Sequence, residues 1–183
     1  MEKAFRITSY FIGLLVVALL IQSVTQAKMT RLKDGQFLNS PDVVSIKTRE
    51  RQLDCMAMNI YREAGYEPFE GKVAVAQVTM NRVKDGRFGD DVCGVIYKKN
   101  VVMEKVVCQF SWACDSAAKT APINNSAYTE SYEVAKKVIL EGFKLGVLKD
   151  ALYYHANYVN PQWQLDKIGQ IGNHIFYKQK ERK

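Results

Sequence analysis

The densest run of reactive side chains in this sequence is a trio of carboxylates, Glu63, Glu67 and Glu70, strung along Tyr61-Arg62-Glu63-Ala64-Gly65-Tyr66-Glu67-Pro68-Phe69-Glu70-Gly71. Upstream, Leu53, Met56, Ala57, Ile60 and Ala64 recur at the spacing of one apolar helix face. At about 100° per residue, Glu63 falls beside Met56 at the margin of that face, and Arg62 falls on the far side. The spacing predicts a helix ending near Ala64 with Glu63 half-buried. A carboxyl held against apolar packing is poorly hydrated, which raises its pKa toward the range where it can donate a proton near neutral pH. Protonating a leaving oxygen, as in the breaking of a glycosidic bond, is the chemistry that suits such a group. Periodicity alone leaves open that Glu63 is an ordinary boundary glutamate. Glu67 and Glu70 sit in or after the turn, at an undefined separation from Glu63.

The elements that must hold these groups can be read in outline. Val73, Ala76, Met80 and Val83 mark one face of a second helix whose other faces are also apolar, so it belongs inside a core. Residues 84–89 read as a loop, and Val92 to Tyr97 as a short helix or strand. A turn and cap over Pro122 to Ser126 precede a helix with Tyr128, Tyr132, Ala135 and Ile139 on one face, running toward Gly142 and Gly146. Leu152 to His155 and Ile175 to Tyr177 read as short strands of a small sheet near the site. The result is an α+β domain, mainly α, with a minor β element.

The same residues carry a resemblance. Tyr61, Glu63, Ala64, Glu67, Pro68, Glu70, Gly71, Ala74 to Ala76 and Asn81 to Val83 resemble the hallmark of the SleB-type cell wall hydrolases, peptidoglycan hydrolases that include the spore-cortex-lytic enzymes. Three further blocks follow in the same order. They are Cys93-Gly94-Val95-Ile96-Tyr97, then Cys108-Gln109-Phe110-Ser111-Trp112, then Tyr154-His155-Ala156 with Pro161, Trp163 and Ile171 to Tyr177. The chain departs from the pattern at Gly65-Tyr66, where the glycine is shifted by one position, so the turn before Glu67 is expected to be built differently. The resemblance implies a single lysozyme-like or lytic-transglycosylase-like catalytic domain. It implies a single-acid mechanism in which Glu63 serves as acid and then base on the glycan bond between N-acetylmuramic acid and N-acetylglucosamine.

The resemblance also suggests supporting residues. Gln109, Phe110 and Ser111 would form a groove wall for an acetamido group, Asn81 would orient Glu63 by hydrogen bonding, and Glu67, Tyr154 and His155 would contact substrate. Each also has a reading as a satisfied buried polar group, and structural hydrogen bonding is the favoured role for His155 and His174. Trp163 and Tyr153 would stack on sugar rings or simply pack. No cofactor is expected, and two histidines with scattered acids argue against a catalytic zinc. The alternatives are muramidase-type hydrolysis with a second carboxylate, an amidase acting on the stem peptide, and a non-catalytic wall-binding or phage structural protein.

Lys3 and Arg6 precede a charge-free run from Ile7 to Ala27. That order is expected of a signal peptide cut near Ala27, or of an uncleaved membrane anchor. Residues 28–50 are polar and read as a linker or arm, and 51–183 as the catalytic domain. The 156 residues beyond Ala27 suffice for one domain with a real core. Four cysteines, Cys55, Cys93, Cys108 and Cys114, in an exported chain suggest two disulfides with three connectivities open. The short Cys108 to Cys114 span would close a small loop around Phe110 and Trp112, leaving Cys55 for Cys93; four packed free thiols are the alternative. A formal charge of +7 suits attraction to wall polymers or anionic lipids. Nucleic acid is not expected as a partner, because no nucleic-acid motif accompanies the charge.

Overall fold

The computed structural model describes residues 13, 15–23 and 41–180. The chain divides into two units, Met1–Thr48 and Arg49–Lys183. In the first, residues 15–23 are helical, and the apolar Leu15, Val16, Val17, Leu19, Leu20 and Ile21 are exposed. The rest of the expected leader, including the cut near Ala27, and residues 28–40 of the expected arm lie outside the described residues. Among the described residues no helix is long and apolar enough to cross a membrane. Residues 41–50, expected to be irregular, are instead the opening turns of helix α1, Pro41–Ala64. The polarity of residues 45–50 is that of a helix surface, since all six are exposed.

Within the second unit, α1 is joined by a short turn to α2, Phe69–Asp85. Leu53, Met56, Ala57, Ile60 and Ala64 are all buried, as their spacing predicts. Helix α2 is buried on more than one side. Val73 and Ala76 join α1, Val95, Ile96, Phe110, Trp112 and Val134 in the main core, whereas Ala74 and Val78 pack with Leu148, Ala151 and Phe176 in a second cluster. This explains why α2 lacks a clean polar stripe: it lies between helices and sheet. Gly86, at φ 77°, ends α2 with its N–H directed to the carbonyls of Arg82 and Val83, a left-handed cap that glycine adopts without steric cost.

Residues 92–97, ambiguous in sequence, form the short helix α3, Val92–Ile96, capped by the Asp91 carboxylate on the Gly94 N–H at 2.6 Å. A hairpin follows that the sequence did not suggest, β1 (Lys99–Val102) and β2 (Lys105–Cys108). Its two-residue loop places Met103 and Glu104 at positive φ where glycine or asparagine is usual, which hides the turn signal. Helices α4 (Ser116–Thr120) and α5 (Asn125–Ile139) come next, α5 capped by Asn124. The closing sheet has strand order β3-β5-β4, all antiparallel, formed by Tyr153–Ala156, Asp166–Ile171 and His174–Lys178. Strand β4 was not anticipated, because Gly169, Gln170 and two charged residues mask its alternation.

All four cysteines are paired, Cys55 with Cys93 and Cys108 with Cys114, at Cα separations of 5.4 and 5.8 Å. The first ties α1 to α3. The second closes the loop that carries Gln109 to Ala113.

Candidate active site

The last turn of α1 delivers Glu63 to a groove of about 460 Å³, lined in part by Arg82, Gln109, Phe110, Ser111, Tyr154, His155 and His174. A second hollow of about 310 Å³ shares Arg62 and Glu63 and adds Tyr61, Tyr66, Glu67 and Asn173. Glu63 therefore sits where two concavities meet. Burial pushes its carboxyl above the usual glutamate range, opposed by the Tyr154 hydroxyl and by the charge of Arg82. Tyr154 donates to Glu63 Oε2 at 3.0 Å. Burial together with the neighbouring carboxylate holds that hydroxyl well above the usual tyrosine range, so it stays protonated and keeps a proton to donate to Glu63.

The sheet register explains how Tyr154 arrives there. Tyr154 pairs with Phe176 and Ala156 with His174, so these four share one face, and the neighbours Tyr153, His155, Ile175 and Tyr177 share the other. The rings of Tyr154, Phe176 and His174 form one cluster, with Tyr154 edge-on to His174 at 5.1 Å. His155 belongs to the other face. Its Nε2 lies 2.9 Å from the Tyr177 hydroxyl, and its ring packs with Tyr177 and Trp163. His155 still lines the groove, but its hydrogen bonding is structural. Trp163 and Tyr153 meet edge-on in that same aromatic cluster, with Trp163 43% exposed.

The remaining groups named from the sequence divide. Gln109 and Ser111 line the groove, Ser111 exposed and Gln109 half-buried. Phe110 is buried, its ring facing the Arg82 guanidinium at 5.1 Å rather than open solvent. The loop is anchored by Trp112, whose Nε1 donates to Asn59 Oδ1 at 2.9 Å, while Asn59 Nδ2 donates to Thr79 at 3.3 Å. That buried link between α1, α2 and the loop was not read from the sequence.

Glu67 accepts from the Asn173 backbone N–H at 3.1 Å and from Asn173 Nδ2 at 2.8 Å, which fastens the α1–α2 turn to the β4–β5 turn. Gly172 has φ 56°, and any side chain there would strike the Glu67 carboxylate. The shifted Gly65 is buried, and the turn closes with Glu67 N–H donating to the Ala64 carbonyl at 3.0 Å. Glu70 is exposed in the first turn of α2 and lines neither hollow.

Two expectations are corrected. Asn81 does not orient Glu63: its Nδ2 donates to the carbonyls of Leu148 (2.9 Å) and Ala151 (2.8 Å). One residue on, and so about 100° around the helix, Arg82 is the α2 side chain that enters the groove. Arg62, expected on the far side of α1, lines both hollows, with Nη2 donating to the Ala121 carbonyl at 3.2 Å and its guanidinium over Tyr61. The side chain is long enough to turn back from its helical position. His174 is buried, its Nδ1 has no partner, and desolvation keeps its pKa below the usual histidine range. Among the described residues no cluster of histidine, cysteine and acidic side chains could hold a metal.

A half-buried carboxyl at a helix end, with a tyrosine hydroxyl on it and a groove across it, is a geometry suited to a single proton donor. Residues 66–177 match the profile of the cell wall hydrolases, more than half of the sequence, and the chain belongs to that family. The matched segment opens just after Glu63, so the place of Glu63 rests on the geometry above. Among curated proteins, the chain is 31% identical over 137 residues to the spore cortex-lytic enzyme of Oceanobacillus iheyensis, covering 70% of this chain and 42% of that protein. It is 29% identical over 163 residues to the spore cortex-lytic enzyme of Bacillus subtilis, covering 85% and 45%. The chain thus spans less than half the length of these relatives. In three dimensions it is similar to the catalytic domain of the Bacillus cereus SleB protein, with a TM-score of 0.52 and 29% identity over 70% of this chain and 91% of that one. The catalytic domain of the germination-specific lytic transglycosylase SleB from Bacillus anthracis gives 0.51 and 29%, over 69% and 93%. The mainly helical fold with its small sheet is that of these catalytic domains.

Proposed function

We propose that this chain degrades peptidoglycan, cutting the glycan strand between N-acetylmuramic acid and N-acetylglucosamine as a lytic transglycosylase. The observation that carries the reading is the half-buried Glu63, raised in pKa and held by Tyr154 at the junction of two hollows. Protonated Glu63 gives its proton to the bridging oxygen, and the bond to the muramic acid anomeric carbon breaks. The carboxylate left behind then takes the proton of the muramic acid's own hydroxyl as that oxygen closes an anhydro ring. Acid and base are thus one group, and no second carboxylate is required. Family membership and the likeness to SleB catalytic domains support this reading. Gln109 and Ser111 are the candidates for the acetamido group, since both line the groove through a loop held by a disulfide and by Trp112.

Hydrolysis with a second carboxylate is the other reading, favoured by one observation: Glu67 lines the smaller hollow together with Glu63. Its oxygens, however, are engaged by Asn173. Two disulfides support work in an oxidising compartment beyond the cytoplasmic membrane, where peptidoglycan lies. We include in the proposal the division into an exporting segment over 1–27, an arm over 28–50 and a catalytic domain over 51–183.

The test is Glu63→Gln, which keeps the shape but has no proton to give. Loss of a general acid typically costs ~10²–10⁴-fold in rate. Lysis of purified peptidoglycan should fall by that order with the fold intact by circular dichroism. Comparable turnover by the variant would sink the assignment. Glu67→Gln should cost far less, and an equal loss there would restore the two-carboxylate reading.

A further inference from the structure

Arg82 is only 6% exposed, with its guanidinium between the rings of Phe88 (5.2 Å) and Phe110 (5.1 Å). Its Nε donates to the Leu152 carbonyl at 2.9 Å, while its Nη1 is buried without any partner. A buried charge costs several kcal/mol unless it is paired, and arginine does not escape by deprotonating. Yet among the described residues no carboxylate forms an ion pair with it. The carboxylate near enough to act on its charge is Glu63, and both side chains line the same groove.

The other groups around Glu63 are less suited to answer a charge on it. Tyr154 on β3 gives its one proton to Oε2. Arg62, on Glu63's own helix, has its guanidinium over Tyr61 with Nη2 spent on the Ala121 carbonyl, which leaves its buried Nε unpaired. His155 is bonded to Tyr177, and His174 is held toward its neutral form by burial. A protonated Glu63 needs no counter-charge, whereas an ionised one does.

We propose that Arg82 is a positioning residue whose unengaged Nη1 is the reserved partner of the Glu63 carboxylate, pairing with it once Glu63 has given its proton away. The role in catalysis rests on the reading of Glu63 as the general acid. Glu63 transfers its proton to the bridging oxygen, the carboxylate pairs with Arg82, and the pair opens when Glu63 regains a proton from the hydroxyl that closes the ring. A fixed positive charge makes Glu63 a stronger acid than burial alone would leave it. Without Arg82 the carboxylate would be a poorer leaving form, and proton donation would slow.

The experiment is an NMR titration of the full chain with labelled carboxyl and guanidinium carbons, run alongside lysis of purified peptidoglycan. In the unmodified protein the Arg82 guanidinium resonance should move with the same midpoint as the Glu63 carboxyl. In Arg82→Met the Glu63 midpoint should rise and kcat should fall by about 10-fold or more with KM held. The alkaline limb of the rate profile should then lie at higher pH, and Arg82→Lys should recover part of both effects. An Arg82 resonance indifferent to Glu63 ionisation, or an unchanged midpoint in Arg82→Met, would overturn the pairing. Should Arg82→Met not fold, the titration of the unmodified chain and of Arg82→Lys decides. Should the unmodified protein not degrade peptidoglycan, the general-acid reading fails while the titration still judges the pairing.

Discussion

Helix α2 carries two kinds of buried polar side chain. In the first kind, which includes the half-buried Asn81, each side chain has a partner. Lys72 Nζ bonds Glu130 at 2.6 Å, Gln77 both donates to the Leu145 carbonyl and accepts from the Leu145 N–H, and Asn81 holds the carbonyls of Leu148 and Ala151. The second kind faces the groove, and there needs are left unmet. Three buried side-chain nitrogens lack a partner among the described residues: Arg62 Nε, Arg82 Nη1 and His174 Nδ1. All three belong to residues lining the groove of Glu63. Buried polar groups are normally satisfied because the unsatisfied state is costly. Groups left short in one place mark that place as a candidate for function rather than framework. Completeness of hydrogen bonding thus sets the groove apart from the framework, and on α2 it sets Arg82 apart from Lys72, Gln77 and Asn81.

The comparison can be strained most by opening the groove wall. Removing the Cys108–Cys114 disulfide with paired serine substitutions should cost about 2–4 kcal/mol in urea unfolding. It should also weaken lysis, because the loop it closes carries Gln109 and Ser111. Full activity of that double variant would show that the wall does not depend on the bond. On the satisfied side, Asn81→Ala strands two carbonyls and should cost about 1–3 kcal/mol, while kcat per folded molecule stays as it was. A fall in kcat at unchanged stability would erase the distinction drawn here.

Tyr154→Phe should do the reverse. One hydrogen bond is lost, worth about 0.5–1.5 kcal/mol, but that bond favours the ionised form of Glu63. Its loss raises the Glu63 pKa further, so the alkaline limb of the rate profile should move to higher pH while the rate drops. An unmoved limb would mean that the hydroxyl does not act on Glu63. The smallest effect concerns stability. A carboxyl whose folded pKa is raised binds protons more tightly in the folded state, so stability falls as pH rises from the unfolded value through the folded one. Glu63→Gln abolishes that fall. Its melting temperature should exceed that of the unmodified protein at alkaline pH, with the gap closing in acid. A gap independent of pH would argue that Glu63 is not desolvated.

Much of this was legible in the sequence wherever a single element carried the signal. The apolar face of α1 placed Glu63 at its half-buried margin by counting alone, and the short Cys108 to Cys114 span pointed to the bond that forms. What escaped depends on how elements meet. Whether Asn81 or Arg82 reaches the groove turns on a rotation of one residue within a helix apolar on most sides, which no periodicity resolves. The Glu67–Asn173 clasp joins residues far apart in the chain through a glycine at positive φ. The β1–β2 hairpin was hidden because Met103 and Glu104 occupy a turn that usually advertises itself with glycine.

The central claim, a single desolvated acid working on the glycan strand, is tested most directly by the products. Purified peptidoglycan would be digested with the unmodified protein and with Glu63→Gln, and the released fragments analysed by mass. The account predicts anhydro-muropeptides from the unmodified protein and none from the variant. Reducing ends, free stem peptides, or anhydro products formed equally well without the Glu63 proton would contradict it.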